Sequence, residues 1–112
     1  MNIKTLVAIA LICFGLSAAA EDRIISMAYE VDISDFDAPV TAHGGASFKP
    51  CKGCNRIIVR VTPATLYSVN GKSVRLEDFR KAVRHADKRD VKGLVVLHHL
   101  ESDTIKSIKF WI

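Results

Sequence analysis

The first twenty residues constrain this chain more than any later segment. Lys4 gives a positive start, residues 6–16 an apolar middle, and Ser17, Ala18, Ala19 and Ala20 the small residues a signal peptidase requires. Cleavage after Ala20 is therefore expected, with a water-soluble body beginning at Glu21-Asp22. The apolar run over residues 6–20 is 15 residues long, short of the ~20 that span a bilayer. Retention of the same segment as an uncleaved anchor is the alternative. Either way the body is expected to be exported, to the periplasm or the medium, into an oxidising compartment.

Removing the leader from the 112-residue chain leaves 92 residues, 21–112, enough for one small domain. Such a domain buries roughly 60–65% of its unfolded surface, so its core is modest and a crosslink helps. Cys13 belongs to the leader, and the body keeps Cys51 and Cys54.

Residues 23–33 alternate with period two, placing Ile25, Met27, Tyr29, Val31 and Ile33 on one face of a strand. Residues 34–50 break the pattern with Asp35, Asp37, Pro39, Gly44, Gly45 and Pro50, and read as a long loop. A second strand is expected over 56–62, rich in β-branched residues and bent by Pro63. Asn70-Gly71 between 65–69 and 72–76 predicts a hairpin, because both central residues of a type I′ turn need positive φ.

Residues 77–89 predict one amphipathic helix. Phe79, Ala82, Val83 and Ala86 share a face, Glu77 and Asp78 open it, and Lys88 and Arg89 close it. The continuous apolar run 94–100 predicts a strand buried on both sides, and 104–112 a further strand with Trp111 near its end. The fold class expected is α+β: a small mixed or antiparallel sheet with the helix packed on one face.

Charge is split along the chain: residues 21–50 carry a net −4 and residues 51–112 a net +7. Arg80, Lys81, Arg84 and Lys88 fall on the polar side of the expected helix. They are a candidate interaction surface, with Trp111, for an acidic partner. Another envelope protein is the expected partner, with a membrane surface as a second option. Nucleic acid is not expected, since no recognition motif is present. Residues 104–112 are a candidate edge to which a partner could add a strand.

Cys51-Lys52-Gly53-Cys54 is the sharpest motif. A disulfide is the first reading, with Gly53 supplying backbone freedom to a tight loop. A redox dithiol is the second, but such motifs open a helix after a strand, whereas this one follows Lys49-Pro50 and leads into a strand. A metal site is the third. Cys51 and Cys54 would give two of four ligands, and His43 would be the best of the histidines to add. His98 and His99 are adjacent in a strand, so they point to opposite faces and cannot share one site. The serines lack a nucleophile elbow, no glycine pattern suggests a phosphate cradle, and no catalytic residue or cofactor is expected. The carboxylates Glu30, Asp32, Asp35 and Asp37 lack the Gly and terminal Glu of a calcium loop.

Residues 56–100 are similar to one known group. The β-branched strand, Leu66-Tyr67, Val69-Asn70-Gly71-Lys72, and Val74-Arg75-Leu76-Glu77-Asp78-Phe79 opening a helix before a buried strand resemble the periplasmic domain of ExbD/TolR-type biopolymer transport proteins. That family keeps its membrane helix, which carries an Asp, whereas residues 1–20 hold no acidic residue. The Cys51/Cys54 pair is also foreign to it. What the resemblance implies is a binding or dimerising domain of similar shape, without motor activity. The function expected is a non-catalytic, exported binding or protein-interaction module with a disulfide loop. The alternative is a thiol-disulfide or metal-binding protein using Cys51 and Cys54.

Overall fold

A computed structural model describes residues 25–112; the expected leader and its expected cleavage site lie outside the described residues. The elements in chain order are β1 (Ser26–Glu30), β2 (Phe36–Asp37), β3 (Gly45–Phe48), β4 (Ile57–Arg60), β5 (Leu66–Val69) and β6 (Lys72–Val74). Then come α1 (Leu76–His85), β7 (Gly93–His99) and β8 (Thr104–Trp111). They form one mixed sheet of eight strands that does not close, with α1, the one α-helix among the described residues, packed on one face, an α+β architecture.

The sheet is organised around β8. It runs antiparallel to β7 on one flank, Leu94 opposite Phe110 and Val96 opposite Ile108. On the other flank it runs parallel to β5, Tyr67 opposite Ile108, and touches the end of β4 at Arg60 and Thr104. One side of β8 is thus shared by two successive strands. Thr65 makes the handover between them. Its buried hydroxyl donates to the Ile105 carbonyl (2.6 Å) and accepts from the Thr62 amide (3.0 Å). The expectation that residues 104–112 form an open edge is therefore corrected. Alternation identifies a strand but not its place in the strand order. The edges of the path are β1 and β2, with β6 the outer strand of a branch.

The hairpin at Asn70-Gly71 forms as expected. Asn70 has φ 52° and Gly71 φ 84°, the left-handed values a type I′ turn demands. Asn70 also ties down β8: its amide donates to the Phe110 carbonyl (2.8 Å), and its side-chain oxygen accepts from the Ile112 amide (2.8 Å).

The core lies between the helix and the inner sheet face. Phe79 of α1 is fully buried against the rings of Tyr67 (5.3 Å), Phe36 and Phe110 (both 6.4 Å). At the other end Tyr29 of β1 meets Phe48 of β3 at 5.7 Å. These strands are far apart in the strand order, so the sheet curls toward itself.

Three boundaries differ from the sequence reading. The first strand stops at Glu30 because Asp32 caps a short 3-10 turn, accepting from the Ser34 amide (3.0 Å) and hydroxyl (2.8 Å). Tyr29 and Val31 point into the core, but Met27 is 41% and Ile25 47% exposed, where the strand passes beyond the core layer. The expected loop 34–50 contains β2 and β3. Phe36, Ala46 and Phe48 are buried there, too few apolar positions to register as periodicity. Gly45 permits the close approach of β3 to β4, since a Cβ would lie 2.8 Å from Ile58 Cγ2. The helix ends at His85 rather than at residue 89. Asp87 instead starts a 3-10 turn, Lys88–Asp90, by accepting from the Arg89 amide (3.0 Å), a local bond that competes with helix continuation.

Strand β7 also departs from expectation. Leu94, Val96 and His98 are buried, but Val95, Leu97 and His99 are only half-buried, because nothing among the described residues covers the outer sheet face.

Two predictions follow from these contacts. Burial pushes the Tyr67 phenol above its usual pKa, and its hydroxyl has no hydrogen-bond partner among the described residues. Leaving a buried hydroxyl unpaired is costly, so Tyr67→Phe is expected to unfold in urea within ~1 kcal/mol of the parent or above it. A larger loss would mean that the hydroxyl is satisfied. The Arg89 side chain and amide hold the Asp87 carboxyl below its usual range. Its stabilising effect is then full above pH 3.8, the ordinary value, and fades as pH falls through the lowered one. Asp87→Ala should lower the urea midpoint at pH 7, and the gap should close progressively below pH 3.8.

Candidate functional site

Cys51 and Cys54 sit at the tip of the hairpin that joins β3 to β4, where Phe48 pairs with Ile57. Their Cα atoms are 5.1 Å apart and the sulfurs are bridged. The Gly53 and Cys54 amides both donate to the Cys51 carbonyl (3.2 Å each), and Gly53 has φ 139°, a value that favours glycine. Cys51 is exposed and Cys54 half-buried. The motif leads into β4, so it lacks the helix N-terminus that activates a redox thiol.

His43 is not brought to the cysteines. It precedes β3, whereas the disulfide follows it, so the strand Gly45–Phe48 lies between them. His43 instead lines a shallow depression with Arg60, Ser102 and Asp103. No group of three or more metal-ligating side chains converges among the described residues.

The structure divides the basic candidates. Arg80, Lys81 and Arg84 lie on α1, with Lys81 and Arg84 exposed and Arg80 half-buried. Lys88 leaves the helix for the 3-10 turn. Arg80 and Arg84 line a cavity of about 360 Å³ with Phe36, Asp37 and Val40. Trp111 lies on the opposite side of the sheet. Its neighbour Phe110 faces the helix, and successive strand residues point to opposite faces. Trp111 and the helix cations therefore belong to two separate surfaces.

The β7–β8 turn carries a cluster that the sequence reading did not assemble. His98 Nε2 lies 2.7 Å from Asp103 Oδ1, and His98 Nδ1 is buried without a partner among the described residues. The carboxylate accepts from Nε2–H. On the outer side His99 Nδ1 accepts from the Ser102 amide (3.4 Å) and hydroxyl (2.9 Å), and Ser102 Oγ is 2.7 Å from Thr104 Oγ1. A nucleophilic triad needs one imidazole between the carboxylate and the hydroxyl. Here the carboxylate holds one ring and the hydroxyl the other, on opposite sheet faces. The cluster fastens the turn, in which Asp103 takes φ 54°. The available signal was His98-His99 followed by Ser102-Asp103 across a short turn, which becomes legible once β7 and β8 are known to be adjacent.

On the outer face of the sheet a groove of about 360 Å³ runs over β5, β7 and β8. Leu66, Leu97 and Trp111 give it apolar walls, and Lys106 and Lys109 flank it. Ser107, only 8% exposed and registered between Leu66 and Leu97, forms its floor. Leu66 is 63% exposed and forms the rim.

Comparison with protein-family models, with curated proteins and with solved structures finds no match to this chain.

Closing a loop this small removes little chain entropy, so the bridge is expected to contribute about 2 kcal/mol or less. The Cys51→Ser/Cys54→Ser double variant should therefore remain folded by circular dichroism, with a correspondingly lower urea midpoint. Complete unfolding of that variant would show that the bridge holds more than the hairpin tip.

Proposed function

We propose that this protein is an exported, non-catalytic binding or protein-interaction module, whose partner is another periplasmic or envelope protein. The observation that carries the binding half is the outer sheet face, which no described residue covers. A small domain gains stability by covering its apolar surface, yet Leu66 is largely exposed and Leu97 and Trp111 are half-buried along one groove. Contiguous exposed apolar surface with a polar rim is the mark of an interaction site.

Export is supported by the composition of residues 1–20 and by a disulfide that an oxidising compartment would preserve. The likeness of residues 56–100 to the periplasmic domain of ExbD/TolR-type proteins points the same way. The thiol-disulfide alternative is disfavoured by the hairpin-tip setting of the bridge. The metal alternative is disfavoured by the position of His43 at the far end of β3.

Fractionation of a bacterial host expressing the full chain tests the reading. The protein should be recovered outside the cytoplasm with Glu21 as its first residue and with Cys51 and Cys54 oxidised by mass spectrometry. A cytoplasmic protein with Met1 intact and both thiols free would refute it.

A further inference from the structure

We propose that the groove between Leu66, Leu97 and Trp111 receives one large apolar side chain of a partner protein, on a segment whose flanking carboxylates pair with Lys106 and Lys109. This deepens the interaction-module reading and rests on it.

Three observations select that occupant. The first is size. About 360 Å³ is near the lower limit of the ~300–1,000 Å³ typical of ligand pockets, which suits a single anchoring side chain of the kind that dominates protein interfaces. The second is charge. Among the described residues the groove's lining includes Lys106 and Lys109 and no carboxylate, so a segment bearing Asp or Glu is complementary and a basic one is repelled. The third is shape. Ser107 lies on the floor, and Ser68, Ser73 and Gly71 add further small residues to the lining. The register places Ser107 between Leu66 and Leu97 and Ser68 beside Lys109. The surface is concave where the small residues meet.

The same observations disfavour two other occupants. A second copy meeting this face about a two-fold axis would set Lys106 and Lys109 against their own equivalents, a like-charge contact. A membrane is engaged by several apolar side chains that stand out from the surface, whereas here Leu66 alone is largely exposed and Leu97 and Trp111 are half-buried within a depression.

Trp111 is the chain's one tryptophan, so its fluorescence reports directly on the groove. The experiment selects binders to the oxidised protein from a displayed library of random dodecapeptides. Enriched sequences lacking tryptophan are then synthesised and titrated against Trp111 emission. Leu or Phe flanked by Asp and Glu should be enriched, with a blue shift of Trp111. Affinity should fall about tenfold or more in Lys106→Glu/Lys109→Glu, as expected when complementary charges are reversed, and stay unchanged in Arg80→Glu/Arg84→Glu.

Basic or uncharged binders that shift Trp111 would overturn the acidic partner and leave the interaction module standing. Binders that do not move Trp111 would remove the groove from consideration. No binder at all would overturn both the groove and the module. Phosphatidylglycerol vesicles that shift Trp111, or a concentration-dependent dimer that does so in sedimentation, would replace the proposed partner with lipid or with a second copy.

Discussion

Ile108 and Phe110 are fully buried, and the strand that carries them is hydrogen-bonded along both flanks. Three other parts of the molecule reach the core alongside that strand. The β1–β7 pair joins it on one side, the β5–β6 hairpin on the other, and α1 packs Phe79 against Phe110. A hydrogen-bond ladder leaves few of its backbone groups unpaired in a dry interior, where an unpaired group is costly. Placing β8 in the centre also leaves its outward residues, Ser107, Lys109 and Trp111, in the middle of the face that no described residue covers. The position of one strand thus sets both the core and the surface proposed for binding.

The disulfide and the groove lie in different parts of the domain. The bridge closes the tip of the β3–β4 hairpin, whereas the groove is built on β5, β7 and β8. Work on one can leave the other intact, which separates the question of stability from that of recognition. The helix cations Arg80 and Arg84 are likewise remote from Trp111, since the sheet stands between them.

Local chemistry was legible in the sequence where a single residue dictates backbone geometry. Asn70-Gly71 predicted its hairpin, and Glu77-Asp78 before Phe79 marked the start of the helix. The end of the helix was hidden, because the side chain of Asp87 outcompetes a continuing helical turn with a bond that no periodicity reveals. Strand β3 was hidden because Ala46 and Phe48 are its sole buried positions. Strand order was the largest gap. Period two places side chains on a face but does not say which strands are neighbours, so neither the centrality of β8 nor the groove could be read. The groove exists because Leu66, Ser107 and Leu97, from three separated segments, line up across three strands.

The parallel pairing of β5 with β8 has a temporal side. Residues 66–69 must wait for residues 107–110, about forty positions downstream, before their ladder can form. Contacts so distant in sequence carry a loop-closure cost before they return any stabilisation. During synthesis the preceding strands therefore have no central member to organise them. Until Thr104–Trp111 is present, neither the β5 ladder nor the β7 ladder to it can form.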